Sequence, residues 1–203
     1  MAKQERATRT REALVRAAAS AFDRAGYEAT TLARIIQSAG LSMGALTFHF
    51  RSKEELADAV HAQGECAVRA AVERAAASGE PPLRAAVCLT LEIARLLEED
   101  TAVRAAARLA RERADGSDSW SSLWLPLVER LLARATETEG ELRPGSDPGA
   151  VLTLVAYLVA GAEADSRVRA TTPGEQGDCA ERRLGRIWDA VLPGISGTDR
   201  PAP

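Results

Sequence analysis

The stretch TTLARIIQSAGLSMGALTFHF, residues 30–50, decides the fold of this chain. Its first half places apolar side chains at the spacing of one helix face, namely Leu32, Ile35, Ile36 and Ala39. Thr30 or Thr31 precedes this helix as an N-cap, whose hydroxyl accepts from an early backbone N–H. Gly40 follows the last periodic residue, where a left-handed residue ends a helix.

A second and shorter helix follows, with Ser42 as its N-cap and a span from Met43 to about Phe48. Two short helices joined by a turn that contains glycine form a helix-turn-helix. Gly44 and Ala45 leave little side chain at the start of the second helix, so another molecule can approach its backbone closely. The major groove of DNA, about 12 Å wide, admits such a helix. The alternative is an ordinary corner between two core helices.

The net charge of −3 is unevenly distributed along the chain. Residues 1–53 carry a net charge of +5, and the remainder carries −8. A basic segment around a helix-turn-helix is typical of a DNA-binding domain. Residues 1–10 are polar and show no apolar period, so they are predicted to form an arm, in which Lys3, Arg6 and Arg9 can follow a DNA backbone or remain disordered.

The composition favours an all-α fold. The 203 residues are rich in alanine, only 4% are aromatic, and no segment alternates as a strand does. The three cysteines are widely spaced, which is typical of free thiols in a cytoplasmic protein, and neither a metal nor a cofactor is predicted. The charged N-terminus does not read as a signal peptide, and the longest apolar run, residues 150–162, is too short to span a membrane.

The remaining helices are predicted from their apolar periods and their breaks. The first long helix covers residues 8–25 and ends before Gly26; Ser52 and Glu55 form a capping box that begins a linking helix over residues 53–78. Five further helices are predicted over residues 83–99, 102–114, 120–138, 150–168 and 178–192. In the third of these, Pro126 either kinks the helix or lies in the first turn of a helix that begins at Leu125. The chain therefore divides into an N-terminal three-helix head, residues 1–52, and a C-terminal helical body for ligand binding and dimerisation, residues 53–203. The broad apolar faces of the last two helices predict a homodimer.

Residues 8–62 resemble the DNA-binding head of TetR-family transcriptional repressors, through FDRAGYEATTL, IIQSAGLSMGALTFHF and RSKEELA. GALTFHFRSKEELADAV is similar to the γ-butyrolactone receptor branch of that family, which regulates secondary metabolism. Weaker similarity reaches the C-terminus through VAGAEADS and IWDAVLPG. The resemblance implies a homodimeric repressor whose two heads enter successive major grooves of a double-stranded operator, about 34–36 Å apart.

The resemblance also implies which residues contact DNA. The positions that hold phosphates are Thr31, Ser42, Thr47, His49 and Lys53, and those that face the groove are Met43, Gly44 and Ala45. Arg34 is outward by its spacing and adds a candidate backbone contact. Thr47 stands where the family commonly has tyrosine, so a longer side chain that reaches phosphate is missing.

In that branch the effector lies in an apolar chamber of the C-terminal domain against a tryptophan. Trp124 matches this position better than Trp120, although either can be a plain core residue. Gln63, Thr90 and Tyr157 are candidates for the polar contacts with a lactone or hydroxyl. Ala160 stands where many relatives have threonine, which leaves the effector open between a γ-butyrolactone and an antibiotic or biosynthetic intermediate.

Two other classes of function remain as alternatives. An enzyme would need a catalytic motif, and the sequence has two histidines, both near the head, and neither a GxSxG motif nor a P-loop. A helical adaptor that binds only protein would show no salt-dependent affinity for DNA.

Overall fold

The computed structural model describes residues 2–113, 120–171 and 178–197. Within these ranges the chain is helical, and the helices are listed here in order: α1 (Ala2–Ala29), α2 (Leu32–Ala39), α3 (Met43–His49), α4 (Lys53–Ala77), α5 (Pro82–Glu99), α6 (Thr101–Glu112), a 3-10 helix (Trp120–Leu123), α7 (Leu125–Glu137), α8 (Pro148–Thr171) and α9 (Ala180–Ile195). The all-α prediction is confirmed. The predicted helices leave breaks at residues 115–119 and 169–177, of which residues 115–119 and 172–177 lie outside the described residues.

The described chain forms two compact units. The first contains residues 1–67 and 100–120, and the second contains residues 68–99 and 121–203. The linking helix α4 passes from one unit into the other, and α6 belongs to the unit that contains the helix-turn-helix. A compact unit need not coincide with a functional domain, so the boundary after residue 52 remains a prediction.

The core of the first unit contains α1, the helix-turn-helix, the start of α4 and one face of α6. Its buried side chains are Leu14, Val15, Ala18, Ala19, Phe22, Ile35, Leu46, Phe50, Leu56, Ala57, Val60, Ala102, Ala105 and Leu109. The two short helices α2 and α3 cannot bury enough surface by themselves. Their stability therefore comes from packing on α1.

The helix α1 begins earlier than its apolar period indicates. The predicted arm over residues 1–10 is wrong for the described part, because α1 starts at Ala2. The hydroxyls of Thr8 and Thr10 donate to the carbonyls of Gln4 and Arg6, one turn back. A helix turn exposed on all sides has no apolar face, so periodicity cannot reveal it.

The second unit is built around α5, which packs against α7, α8 and α9. Its interior face is wide, and eleven of its residues are buried. Pro126 lies in the first turn of α7, so the helix starts at Leu125 without a kink. The last helix is longer than predicted, because α9 continues past residue 192 to Ile195, and Ser196 pairs with Leu142 in an isolated β-bridge.

The helix α8 is longer than the apolar run on which the sequence interpretation rested. Over Pro148–Arg169 it is long and apolar enough, by length and composition, to cross a membrane, and no other helix in the described ranges is. A core helix of a soluble protein passes the same test, and only 28% of the apolar window is buried in the single chain. Glu163 and Ser166 are buried on its inner face.

Candidate nucleic-acid interface and effector site

Capping hydrogen bonds build the helix-turn-helix as the sequence predicts. The Thr31 hydroxyl accepts from the Arg34 N–H at 3.3 Å, and the Ser42 hydroxyl accepts from the Ala45 N–H at 3.2 Å. Gly40 has φ +64°, a left-handed conformation that L-residues rarely adopt, and it ends α2. Of the two candidate N-caps, Thr31 takes the role. Thr30 is buried instead and donates its hydroxyl to the Gly26 carbonyl at 2.6 Å.

The helix α3 has one inward and one outward face. Leu46 and the following Phe50 are 1% exposed and anchor it to the core. Met43, Gly44 and Thr47 are exposed on the other side, and Ala45 is half-buried. Gly44 therefore leaves the outward face without a side chain near the N-terminus of the helix, and this allows the helix backbone to come close to the bases in a DNA groove.

Two of the predicted phosphate contacts, Lys53 and Thr47, already donate hydrogen bonds within the protein. The Lys53 ammonium donates to the Tyr27 carbonyl at 2.9 Å and to the Thr30 carbonyl at 3.2 Å, and it lies 4.2 Å from the centre of the Tyr27 ring. An ammonium has three donors, so one remains for a phosphate. The Thr47 hydroxyl donates to the Gly44 carbonyl at 3.3 Å.

The other predicted contacts differ in their exposure. Arg34 is exposed on α2, and His49 is half-buried at the end of α3. All nine residues predicted to contact DNA lie in α2, in α3, at their caps or at the start of α4. Their contacts with DNA remain predictions.

Sequence reasoning missed Phe48. Its side chain is 79% exposed, and its ring meets the edge of the His49 ring at 4.9 Å with an angle of 86° between the planes. The signal was present, because a residue halfway between the inward Leu46 and Phe50 must point outward on a helix.

Within the first unit, α6 is joined to α1 by buried and partly exposed charges that the sequence interpretation did not pair. Asp23 is 7% exposed and accepts from Arg104 Nε at 2.9 Å. Arg108 donates to the Asp23 carbonyl at 2.8 Å and to the Glu112 carboxylate at 2.6 Å. These contacts connect α6 to the C-terminal part of α1.

Glu112 completes this junction at the break in α1. Its carboxylate accepts from the Tyr27 N–H at 2.6 Å, beside Gly26, which has φ +80°. The positive φ is what favours glycine here, and a Cβ on Gly26 would also lie 2.6 Å from both carboxylate oxygens and displace the Glu112 side chain. Burial alone would raise the pKa of Glu112, but the hydrogen bonds from Arg108 and Tyr27 outweigh it and lower that pKa below its ordinary value.

Two tryptophans carry buried N–H groups without a partner. Trp124 is 1% exposed at the N-cap of α7, and Trp120 is 7% exposed at the start of the 3-10 helix. Neither indole Nε1 has a hydrogen-bond partner. A buried donor without an acceptor costs about 1–3 kcal/mol, so each is a place where an acceptor on a bound molecule would be favoured.

The three predicted polar contacts for the effector have different surroundings. The Thr90 hydroxyl is fully buried, donates to the Val87 carbonyl at 2.7 Å and accepts from Trp188 Nε1 at 2.9 Å. Gln63 is exposed on α4, and Tyr157 is 73% exposed on α8. Thr90 is thus already engaged in the core. The roles of all three residues towards an effector remain predictions.

A capped helix-turn-helix in a basic segment, whose second helix exposes a glycine near its start, is typical of a DNA-binding regulator. Residues 14–60 match the family described as bacterial regulatory proteins, tetR family. The chain is 31% identical over 198 residues to the A-factor receptor protein of Streptomyces griseus. The alignment covers 97% of this chain and 67% of that protein.

Solved structures agree with this match. The TetR family protein CprB from Streptomyces coelicolor, in complex with its biological operator sequence, aligns with a TM-score of 0.77 and 31% identity over 96% of this chain and 92% of that one. A crystal structure of a γ-butyrolactone receptor, an ArpA-like protein, aligns with a TM-score of 0.76 and 30% identity over 94% and 90%. The chain belongs to the TetR family of transcriptional regulators, in the branch of the γ-butyrolactone receptors.

Proposed function

We propose that this regulator is a homodimeric repressor of secondary-metabolism genes that leaves a pseudo-palindromic operator when a small γ-butyrolactone-like effector binds against Trp124. The observation that carries the effector proposal is the buried Nε1–H of Trp124, which has no partner in the protein. A lactone carbonyl or a hydroxyl would accept from it, and the apolar indole would face the alkyl chain. The relatives described as γ-butyrolactone receptors support this choice.

In the proposed complex with DNA the outward edge of α3 enters the major groove. The hydroxyls of Thr31 and Ser42, together with Arg34, His49 and the remaining donor of Lys53, contact phosphates beside it. An effector that binds better to a form unsuited to DNA would shift the population away from the operator-bound form. The proposed role is regulatory rather than enzymatic, and its place is the cytoplasm.

The proposed dimer pairs α8 and α9 with their copies in a second chain. Apolar side chains remain exposed on these helices, with Tyr157 at 73%, Val168 at 62% and Ile187 at 42%. A groove of about 370 Å³ between the two helices is lined by Tyr157, Leu158, Leu184 and Ile187 among others. Exposed apolar surface of this kind is typical of a protein interface.

The effector proposal is tested by releasing the protein from a labelled operator duplex with γ-butyrolactones of graded alkyl length. We expect release at low lactone concentration by the native protein. Trp124→Phe keeps the apolar ring but lacks the N–H, so it should need about tenfold more lactone, the value of one hydrogen bond. Trp120→Phe is the matched control and should respond as the native protein does.

The outcomes separate the candidates. Operator binding that no lactone releases would remove the lactone but keep the repressor, and a panel of antibiotics and their intermediates would follow. An altered response in Trp120→Phe alone would transfer the site to Trp120. Affinity for DNA should fall steeply as salt rises, whereas an adaptor would bind no DNA at any salt concentration. Lactone recovered unchanged after incubation is expected, and its hydrolysis would contradict the non-enzymatic role.

A further inference from the structure

Phe48 is the most exposed of the large apolar side chains that the structure describes as exposed. Its 79% compares with 46% for Met43 on the same helix, while Leu46 and Phe50 on either side are buried. Burying an aromatic side chain is favourable, so the single chain forgoes most of that gain at Phe48. Within the part of the chain that the structure describes, the ring makes its aromatic contact with the half-buried His49.

Phe48 lies on the same face of α3 as Gly44. The two residues are four apart, so they lie on one line along α3, separated by one turn. The space before Gly44 is open, because a Cβ there would meet only the Ser42 hydroxyl, at 3.9 Å. Whatever approaches the backbone at Gly44 therefore also meets the ring of Phe48.

The composition of α3 restricts how it can read bases. Its seven residues, Met43–His49, include no Arg, Lys, Asn, Gln, Asp or Glu, so the bidentate pairs with guanine and adenine cannot come from this helix. The Thr47 hydroxyl already donates to the Gly44 carbonyl. Apart from the Thr47 hydroxyl and the half-buried His49, what remains on the outward face is apolar. The apolar group that a base pair offers in the major groove is the 5-methyl of thymine.

We infer that Phe48 is a specificity-determining residue that packs against the 5-methyl group of a thymine in each operator half-site, with Met43 contacting a separate position nearer the start of the helix. The inference rests on the DNA-binding function of the head and is independent of the effector. According to this inference, α3 selects its operator sequence by shape and by contacts with methyl groups, and not by hydrogen bonds from charged or amide side chains to the base edges.

The test replaces each operator thymine in turn by deoxyuridine, which removes only the methyl group. The operator is first selected from a pool of random duplexes with the full-length protein. For the native protein we expect one thymine in each half-site at which the replacement weakens binding about fourfold, the value of one buried methyl group. Phe48→Ala should bind thymine and deoxyuridine equally at that position.

Two controls make the result specific to Phe48. Met43→Ala should keep the discrimination at the Phe48 position, and Phe48→Leu should restore part of it. Because Phe48 is exposed, Phe48→Ala should unfold within about 2 °C of the native protein. Equal binding of thymine and deoxyuridine at every position by the native protein, or full discrimination in Phe48→Ala, would overturn the inference. Failure to select any duplex would instead contradict DNA binding itself.

Discussion

Gly44 is a residue at which stability and DNA affinity favour different side chains. It lies inside α3 with open space before it, so alanine would fit without a clash. Glycine within a helix costs about 0.5–1 kcal/mol relative to alanine, and that cost is retained at a position expected to face the groove. We therefore expect glycine at this position to serve the close approach of DNA to the helix backbone.

Gly44→Ala is therefore expected to change two properties in opposite directions. The free energy of unfolding should rise by about 0.5–1 kcal/mol, and operator affinity should fall several-fold because a methyl group separates the backbone from the DNA. Thermal unfolding and fluorescence anisotropy measure the two effects. Thr136→Ala, exposed on α7, also replaces a weaker helix former by alanine and is the control for stability alone. Unchanged DNA affinity in Gly44→Ala would contradict close approach at this point.

Thr90 has a different role in the structure from the one that the sequence predicts. It is a candidate effector contact by sequence, but its hydroxyl links the Val87 carbonyl to Trp188 Nε1 inside the second unit. A single hydroxyl thus satisfies the indole of the 2% exposed Trp188, whereas the indoles of Trp120 and Trp124 have no such partner.

Thr90→Val should destabilise the protein by about 1–3 kcal/mol, because it keeps the shape and leaves a buried indole N–H unsatisfied. Urea unfolding followed by circular dichroism measures the change. Thr153→Val is the matched control, since that exposed hydroxyl donates only to the Gly149 carbonyl of its own helix. A loss below 0.5 kcal/mol would mean that Trp188 finds another acceptor.

At the scale of helices, the junction between α1 and α6 shows what the sequence can and cannot predict. The helix-turn-helix was predictable because its caps, its period and Gly40 are local signals. The ion pair of Asp23 with Arg104 joins residues 81 positions apart, and no local pattern announces it. The first turns of α1 escaped prediction because periodicity measures burial, and these turns are mostly exposed.

The residues of the candidate site likewise divide into those that a local pattern predicts and those that depend on distant contacts. The residues expected at the DNA could be named because they follow the caps of short helices and match a motif. Phe48 could have been named from the inward spacing of Leu46 and Phe50. The unpaired state of Trp124 depends on which acceptors the fold brings near it, and the engagement of Thr90 depends on a residue 98 positions away. Neither is encoded in a local pattern.

The α1–α6 junction should weaken in acid. The pKa of Glu112 is lower in the folded protein than its ordinary value of 4.5, so the carboxylate binds fewer protons folded than unfolded there. Its stabilisation is fully present above about pH 4.5 and is lost as the pH falls through the folded pKa. We expect Glu112→Gln to cost about 1–2 kcal/mol at pH 7, and the difference from the native protein to shrink below pH 4.5.

Urea unfolding of both proteins from pH 7 to pH 3.5 measures this difference. Glu12→Gln is the control, because Glu12 pairs with Arg16 at 3.9 Å on the surface and such pairs contribute little. A difference that stays constant down to pH 3.5 would mean that the charge of Glu112 is not what attaches α6 to α1.

For the whole molecule, the proposed pairing of α8 and α9 links oligomeric state to operator affinity. A dimer holds two heads on one duplex, so the second head binds at a high effective concentration. A monomer would hold a single half-site and lose that advantage. The exposed apolar residues of α8 and α9 should therefore matter for DNA binding although they belong to the other unit.

The double variant Tyr157→Glu with Ile187→Asp places charges on the 73% and 42% exposed side chains of the proposed interface. Sedimentation should show a monomer, and operator affinity should fall by about 100-fold or more, the usual gain from two linked sites. Because both residues are exposed in the single chain, the helical content should be retained. Ala133→Asp, on the exposed side of α7, is the control and should remain dimeric with native affinity. A double variant that is still dimeric would place the interface elsewhere, and a monomer with native affinity would contradict binding by paired heads.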